Sequence, residues 1–437
     1  MYQLHLFNLI IPFNYQKPIY DGFILINKKN GRIIKIGSQN DVFFVNTSFG
    51  CEIKQNKNSI CLAGFINNHI HLAYKNNYVT AKPNEQIEWL KNLVKTSRNW
   101  SEAEKQEIIK NNIQNCLKNG ITFIFENTPF GKITATEIEQ SPYKNNSLIG
   151  LEVFGNSEEQ AELIFEKSVN YLNQLEAQFT DLKFTLSPHA IYSVGSSLLK
   201  KLMQWANINN KILALHLAEF NFELELLQKN YLNPNLKEFF EFLEVSSPEM
   251  KNNSSQGTMQ YLLNLATELK NTDLLKNFLL IHFILTSASD LEIAQKFDLG
   301  IVSCPQSNLF LQNGLPDYKN WLKYNLPFGF GTDSLASNFD FDFLSQLKNI
   351  YWLSNCQLSA QDLFEKVTSI PAKQLKLENE IGSLEENKKA NFIHFELKPE
   401  NLNKIKSLSE QDLYTWLLMN LNNNLIKQVF VENKPII

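Results

Sequence analysis

Apolar and polar positions follow two different rhythms along the chain. Up to about residue 60 the apolar runs are short and broken by turn signals. Asp21–Ile26 and Arg32–Ile36 flank Asn27-Lys28-Lys29-Asn30-Gly31. An Asn-Gly pair between two apolar runs predicts a hairpin, because both residues tolerate positive φ. Beyond residue 60, strand-like runs alternate with helix-like stretches. Strands are predicted at Ile60–Asn67, Ile121–Glu126, Leu148–Phe154, Lys183–Ser187, Lys211–His216, Phe278–Phe283, Gly300–Cys304 and Pro327–Gly331. Between them the spacing predicts helices such as Ser101–Leu117, Ser157–Leu175, Ser196–Asn207 and Ser287–Lys296. Ser101 and Glu104 are spaced as a capping box. This repetition predicts an α/β fold, a (β/α)8 barrel of the TIM type. Ala390–Phe395 and Val429–Ile436 read as a strand and a hairpin. The N- and C-terminal segments are therefore expected to build one small β-sandwich domain together. The boundaries expected are 1–59 and 376–437 for the small domain and 60–375 for the barrel.

Composition removes several classes of function. Of the 437 residues 43% are hydrophobic and 20% charged, which suits a folded globular protein. A net charge of −4 gives no electrostatic footprint for nucleic acid. The lysines are scattered, so no anionic membrane partner is implied. No apolar run approaches the roughly 18 residues of a membrane span, and Met1-Tyr2-Gln3-Leu4-His5 lacks the pattern of a secretory signal. Cys51, Cys61, Cys116, Cys304 and Cys356 are widely spaced with no Cys-x-x-Cys. That pattern fits a reducing cytoplasm and argues against a disulfide framework or a zinc ribbon.

The histidines gather where predicted strands stop. His69 and His71 close the first barrel strand, and alternation sends both side chains to one side. Two imidazoles aimed at one spot are a natural start for a divalent transition-metal site. His189 follows the fourth strand, His216 ends the fifth, His282 ends the sixth, and Asp333 follows the eighth. Only His5 and His394 fall in the small domain. In a barrel of this kind chemistry is carried on the carboxyl ends of the strands.

These motifs resemble the amidohydrolase superfamily, in order and over nearly the whole chain. They are the paired histidines, His189-Ala190-x-Tyr192-Ser193, His216-x-x-Glu219, His282, Cys304-Pro305-Gln306-Ser307-Asn308-Leu309, and Gly331-Thr332-Asp333-Ser334-x-x-Ser337-Asn338. The series is similar to the purine-nucleoside deaminases near the methylthioadenosine and S-adenosylhomocysteine deaminases. Phe65-Ile66-Asn67-x-His69-x-His71, Leu151-Glu152-x-x-Gly155 and Leu236-Lys237-Glu238-Phe239-Phe240 bring it nearer to the aminodeoxyfutalosine deaminases of the futalosine route to menaquinone.

The resemblance implies one divalent transition-metal ion, Zn²⁺ or Fe²⁺, held by His69, His71, His216 and Asp333 with a position open for water. It implies that Glu219 protonates the ring nitrogen beside the attacked carbon. His282 would orient the attacking water, and Asp333 would take the water's proton and pass it to the departing ammonia. His189 is expected to meet the ribose, and Glu152 a sugar hydroxyl, the purine or a structural ion pair. Ser307 and Asn308 are expected to order their loop, and Trp89 to wall the pocket or simply pack. The substrate implied is an adenine nucleoside, foremost aminodeoxyfutalosine, whose benzoate needs a cation. Arg98 is the arginine candidate for that task unless it is a solvated helix residue, and Lys75 and Lys82 are rivals. The alternatives are another adenine nucleoside, a different hydrolysis on the same scaffold, or an inactive metal-binding barrel. A homodimer is common among the proteins it resembles.

Overall fold

The structure, a computed structural model, describes residues 1–41, 51–76, 85–229, 233–243, 245–247 and 257–436. The chain divides into two compact units. One comprises Met1–Asn67, Ile113–Ile124 and Phe341–Ile437, the other Asn68–Asn112 and Phe125–Asp340. Five strands come first: β1 (Tyr2–Ile11), β2 (Ile19–Asn27), β3 (Arg32–Ser38), β4 (Glu52–Gln55) and β5 (Ser59–Ala63). The next eight are β6 (Phe65–Ile70), β7 (Ile121–Thr128), β8 (Ser147–Val153), β9 (Phe184–Pro188), β10 (Leu213–Leu217), β11 (Phe278–His282), β12 (Gly300–Ser303) and β13 (Phe328–Phe330). The last three are β14 (Phe392–Glu396), β15 (Ile426–Val431) and β16 (Lys434–Pro435). Among the described residues no helix is long and apolar enough to cross a membrane.

In the first unit the terminal strands form a single eight-stranded sheet, ordered β16-β15-β14-β5-β1-β2-β3 with β4 beside β1. β5 pairs with β1 along one edge and with β14 along the other, so the small domain expected of the two ends is one hydrogen-bonded sheet, and it curls far enough for His5 of β1 to meet Phe430 of β15. The predicted hairpin is present, with Ile26 opposite Ile33, and Gly31 takes the positive φ (65°) that its turn requires.

The run Ile60–Asn67 departs from the single strand predicted. It breaks at Gly64 into β5, which belongs to the terminal sheet, and β6, which does not. A β-carbon on Gly64 would lie 2.2 Å from Oγ1 of Thr122, so only glycine lets the chain pass there and change sheets.

His5 lies inside this unit, its ring 5.5 Å from Phe392 and 5.2 Å from Phe430. Burial is the main reason its pKa falls to about 4. Folded His5 stays neutral between pH 6.5 and about 4 while the unfolded chain takes up the proton. The fold therefore loses stability as pH falls through that window, by up to roughly 3 kcal/mol at its lower end. His5→Phe is expected to flatten the loss of urea midpoint between pH 7 and pH 4.5. An unchanged slope would remove His5 as its source.

The remaining eight strands form two four-stranded sheets, β6-β7-β8-β9 and β10-β11-β12-β13. β8 and β9 pair in parallel, as do β10 through β13 in succession. Each strand from β9 to β13 is buried along nearly its whole length, as expected where helices cover a parallel sheet. The capping box at Ser101 forms as predicted. Glu104 N–H donates to Ser101 Oγ at 3.2 Å, and Ser101 N–H to Glu104 Oε2 at 2.8 Å.

Candidate active site

All the candidate residues from His69 to Asp333 lie in the second unit. His69, His71 and His216 bring one ligating atom each to within 4.8 Å of one another. Their orientation is set by the backbone. Nδ1–H of His71 donates to the carbonyl of Asn127 at 2.7 Å, and Nδ1–H of His216 donates to the carbonyl of His189 at 2.8 Å. Each bond fixes the tautomer and leaves Nε2 with its lone pair. Burial, followed by the like charges of the neighbouring imidazoles, holds His69 and His216 well below the usual histidine range. Both are therefore neutral, the form that ligates.

Asp333 completes the cluster from the segment after β13. Its Oδ1 lies 3.7 Å from Nε2 of His71 and 3.9 Å from Nε2 of His69. The backbone N–H groups of Thr332 and Asp333 both donate to the carbonyl of His69. Gly331 permits that approach, since a β-carbon there would lie 2.9 Å from His69. Asp333 itself adopts φ 58°. Burial pushes its carboxyl upward. The imidazoles of His71 and His282 and the hydrogen bonds from Ser307 and Ser334 outweigh that push, so it lies below the usual carboxylate range. Three imidazoles and one carboxylate suit a borderline divalent ion such as Zn²⁺ or Fe²⁺, and neutral His69 and His216 with an ionised Asp333 match what such an ion needs.

Glu219 and His282 face one another across the cluster, with Oε1 and Nε2 3.5 Å apart. Nδ1–H of His282 donates to Oδ1 of Asn308 at 2.8 Å, which presents Nε2 as the acceptor. Glu219 is 5% exposed. Burial first, then the negative charges of Asp333 and Glu223, raise its pKa well above the usual range. Its surroundings therefore favour the protonated carboxylic acid over the carboxylate.

His189 stands beside this group, its ring 5.0 Å from that of His216. The Ser193 hydroxyl donates to the Ala190 carbonyl, so its oxygen accepts Nδ1–H of His189 at 2.8 Å. Nε2 of His189 is left as an acceptor. Burial lowers its pKa to about 3, so it stays neutral. Glu152 lies 3.9 Å from Nδ1 of His71, and burial raises its pKa.

The cavity above the cluster is small, about 80 Å³. Beyond the histidines, Glu219 and Asp333 it is lined by Tyr74, Trp89, Leu90, Leu93, Tyr192, Phe220 and Leu311, with Ser334 and Ser337. Trp89 is thus a wall residue. The helix Gln86–Arg98 that carries it packs with the helix Pro234–Leu243 into one apolar cluster. Arg98 is not brought to the site. It is exposed, its guanidinium 5.5 Å above the ring of Phe242. Lys75 is also exposed, over Trp100. Lys82 lies outside the described residues. Among the described residues no lysine or arginine lines the cavity.

Ser307 and Asn308, expected to order their loop and not to meet the substrate, do not line the cavity but hold two residues that do. Ser307 Oγ donates to Oδ2 of Asp333 at 2.6 Å, and Asn308 holds His282. Their place directly after β12, at a strand's carboxyl end, was the available signal.

This arrangement is that of a metal-dependent hydrolase, and residues 60–432 match the profile of the Amidohydrolase family, to which the chain belongs. Among curated proteins it is similar to the aminodeoxyfutalosine deaminase of Nitratiruptor sp., 23% identical over 87% of this chain and 88% of that one. It is also similar to the 5-methylthioadenosine/S-adenosylhomocysteine deaminase of Carboxydothermus hydrogenoformans, 22% identical over 84% and 78%. Among solved structures it resembles Helicobacter pylori aminofutalosine deaminase in complex with methylthio-coformycin. The TM-score is 0.77 at 21% identity, with full coverage of both chains.

Proposed function

We propose that this protein hydrolytically deaminates the adenine ring of a nucleoside. The observation that carries the reading is Glu219, a buried acid whose pKa is raised, beside the cluster of His69, His71 and His216 and an aspartate held below the usual carboxylate range. We read β6 to β13 as one closed barrel within residues 60–375. The Ala190–His216 bridge on one side and the donation from Thr332 and Asp333 to His69 on the other support that reading.

His69, His71, His216 and Asp333 would hold one Zn²⁺ or Fe²⁺ ion. Such an ion, when bound, brings the pKa of water toward neutrality and so supplies a nucleophile at pH 7. Glu219 donates its proton to the ring nitrogen beside the amino-bearing carbon, which gives the ring somewhere to place the electron pair displaced by attack. Nε2 of His282 accepts a hydrogen bond from the attacking water and sets its direction. Asp333 takes the water's proton and delivers it to the amine. The C–N bond breaks and ammonia leaves, while the remaining hydroxyl proton passes to Glu219, which restores its acid form and leaves a carbonyl on the ring. Nε2 of His189 would bind a ribose hydroxyl, and Glu152 would meet a sugar hydroxyl or the purine.

The name of the curated relative supports aminodeoxyfutalosine as substrate, and the place in the futalosine route to menaquinone rests on the motif resemblance. One observation favours a second reading. Among the described residues the cavity lining holds no lysine or arginine for a benzoate, and the part away from the histidines and carboxyl groups is mostly aromatic and aliphatic. Methylthioadenosine, with an uncharged tail, matches such a wall without leaving a buried charge unpaired. Ammonia release from aminodeoxyfutalosine, methylthioadenosine, S-adenosylhomocysteine and adenosine, measured side by side, separates the two. The lead reading expects kcat/KM for aminodeoxyfutalosine at least about a hundredfold above the others, or about 2.7 kcal/mol in transition-state binding. A preference for methylthioadenosine moves the assignment to the second reading. Silence on all four sinks both.

A further inference from the structure

Glu223 is fully buried and no step above uses it. It sits at the third position of the helix Asn221–Lys229. From there a glutamate ordinarily reaches back to a single N–H at the helix start. Glu223 collects three in succession. Oε2 accepts from the N–H of Ala218 at 3.0 Å, and Oε1 accepts from those of Glu219 at 2.8 Å and Phe220 at 2.9 Å. Consecutive N–H groups converge in this way only when the backbone curls into a concave nest, which suits an anion. Ala218, at φ 55°, supplies the left-handed residue that such a curl needs. The other face of the turn is tied as well. The carbonyl of Leu217 accepts from Phe283, and that of Ala218 from Ile284 and Leu285, in the segment directly after His282. The turn that aims Glu219 is thus held by Glu223 on one side and by the His282 segment on the other.

We propose that Glu223 is a positioning residue for the general acid. Its carboxylate fills the nest at Ala218–Phe220 and so sets the direction of Glu219 toward His282 and the substrate ring. The inference rests on the deaminase reading. A glutamine keeps the size but has only one acceptor oxygen, and its NH₂ would face an N–H. The test is Glu223→Gln in the metal-loaded, full-length protein, alone and combined with Glu219→Gln. In the single variant kcat falls about 10- to 100-fold, as one charged hydrogen bond is worth. KM stays within about threefold, metal content is unchanged, and hydrogen exchange quickens in a peptide spanning 216–222. In the double variant turnover stays within about threefold of Glu219→Gln alone, because a residue acting through Glu219 has nothing left to act on. Wild-type kcat in the single variant overturns the proposal. A further tenfold loss in the double variant, or loss of metal along with kcat, overturns it too, by assigning Glu223 a merely structural role. Should Glu223→Gln not accumulate folded, Glu223→Asp, shorter by one methylene, is read by the same criteria. If the wild type proves inactive on every adenine nucleoside, the deaminase reading has failed. Unchanged exchange at 216–222 would then dispose of the clamp separately.

Discussion

Glu219→Gln lowers kcat by between about a hundredfold and about ten thousandfold, the range general acids contribute, while the metal content of the protein stays at its wild-type value. Glutamine fills the same space beside Nε2 of His282 and has no proton to give the ring. Ground-state contacts to the nucleoside are left in place, so KM changes little and the loss falls on kcat. The same change strengthens the fold. Burial, then Asp333 and Glu223, keep the native carboxyl neutral, while the unfolded chain ionises it above its ordinary pKa of 4.5. The native state therefore loses stability as pH rises through 4.5, and a glutamine escapes that loss. At pH 8 the variant should melt at or above the wild-type temperature, with the gap closing as pH approaches 4.5. Activity lost together with stability gained is a pattern that misfolding cannot produce. A variant that keeps its metal and more than a tenth of its turnover would take Glu219 out of the acid role.

Stripping the metal is expected to be the most damaging change of all. Dialysis against a strong chelator should remove activity below measurement, and His216→Ala should do the same by leaving one imidazole fewer in the cluster. Elemental analysis should count one ion per chain in the wild type and none in either treated sample. The metal is also a stability term, because an ion bound only by the folded state contributes about 4 kcal/mol when present at a thousand times its Kd. The chelated protein should therefore melt at a lower temperature. The effect is reduced where His69 and His216, neutral by burial, already fit the empty cluster without charge repulsion. Reloading separate aliquots with Zn²⁺ and, under anaerobic conditions, with Fe²⁺ then ranks the two ions by recovered kcat. Turnover persisting in a sample shown to be metal-free would remove the four-ligand centre from the mechanism.

Much of the site was legible because buried strands end where their apolar runs end. His69, His71, His216, His282 and Asp333 each follow such a run, and a parallel strand has one carboxyl end to offer them. The break at Gly64 was not legible. β5 and β6 are both buried at every position, so neither periodicity nor polarity changes where the chain leaves one sheet for the other. The tasks of Ser307 and Asn308 depend on partners 26 residues away in each case, a distance local pattern cannot see. Arg98 was an open question in sequence because the charge is plain but its direction is not. Its place over Phe242 depends on the packing of two helices far apart in the chain.

The placement of β5 between β1 and β14 also bears on how the chain is made. β1 leaves the ribosome early, but β14 follows only after everything from β6 to β13 has been synthesised. Until then β5 shows an unpaired, wholly buried-type edge of Ile60, Cys61 and Leu62 to its surroundings, the kind of edge that recruits strands from other chains. The terminal sheet closes last, so a nascent chain halted before Phe392 carries an open seam along β5. Yield in cells should accordingly depend on elongation speed and chaperone supply more than the finished fold's stability alone would suggest.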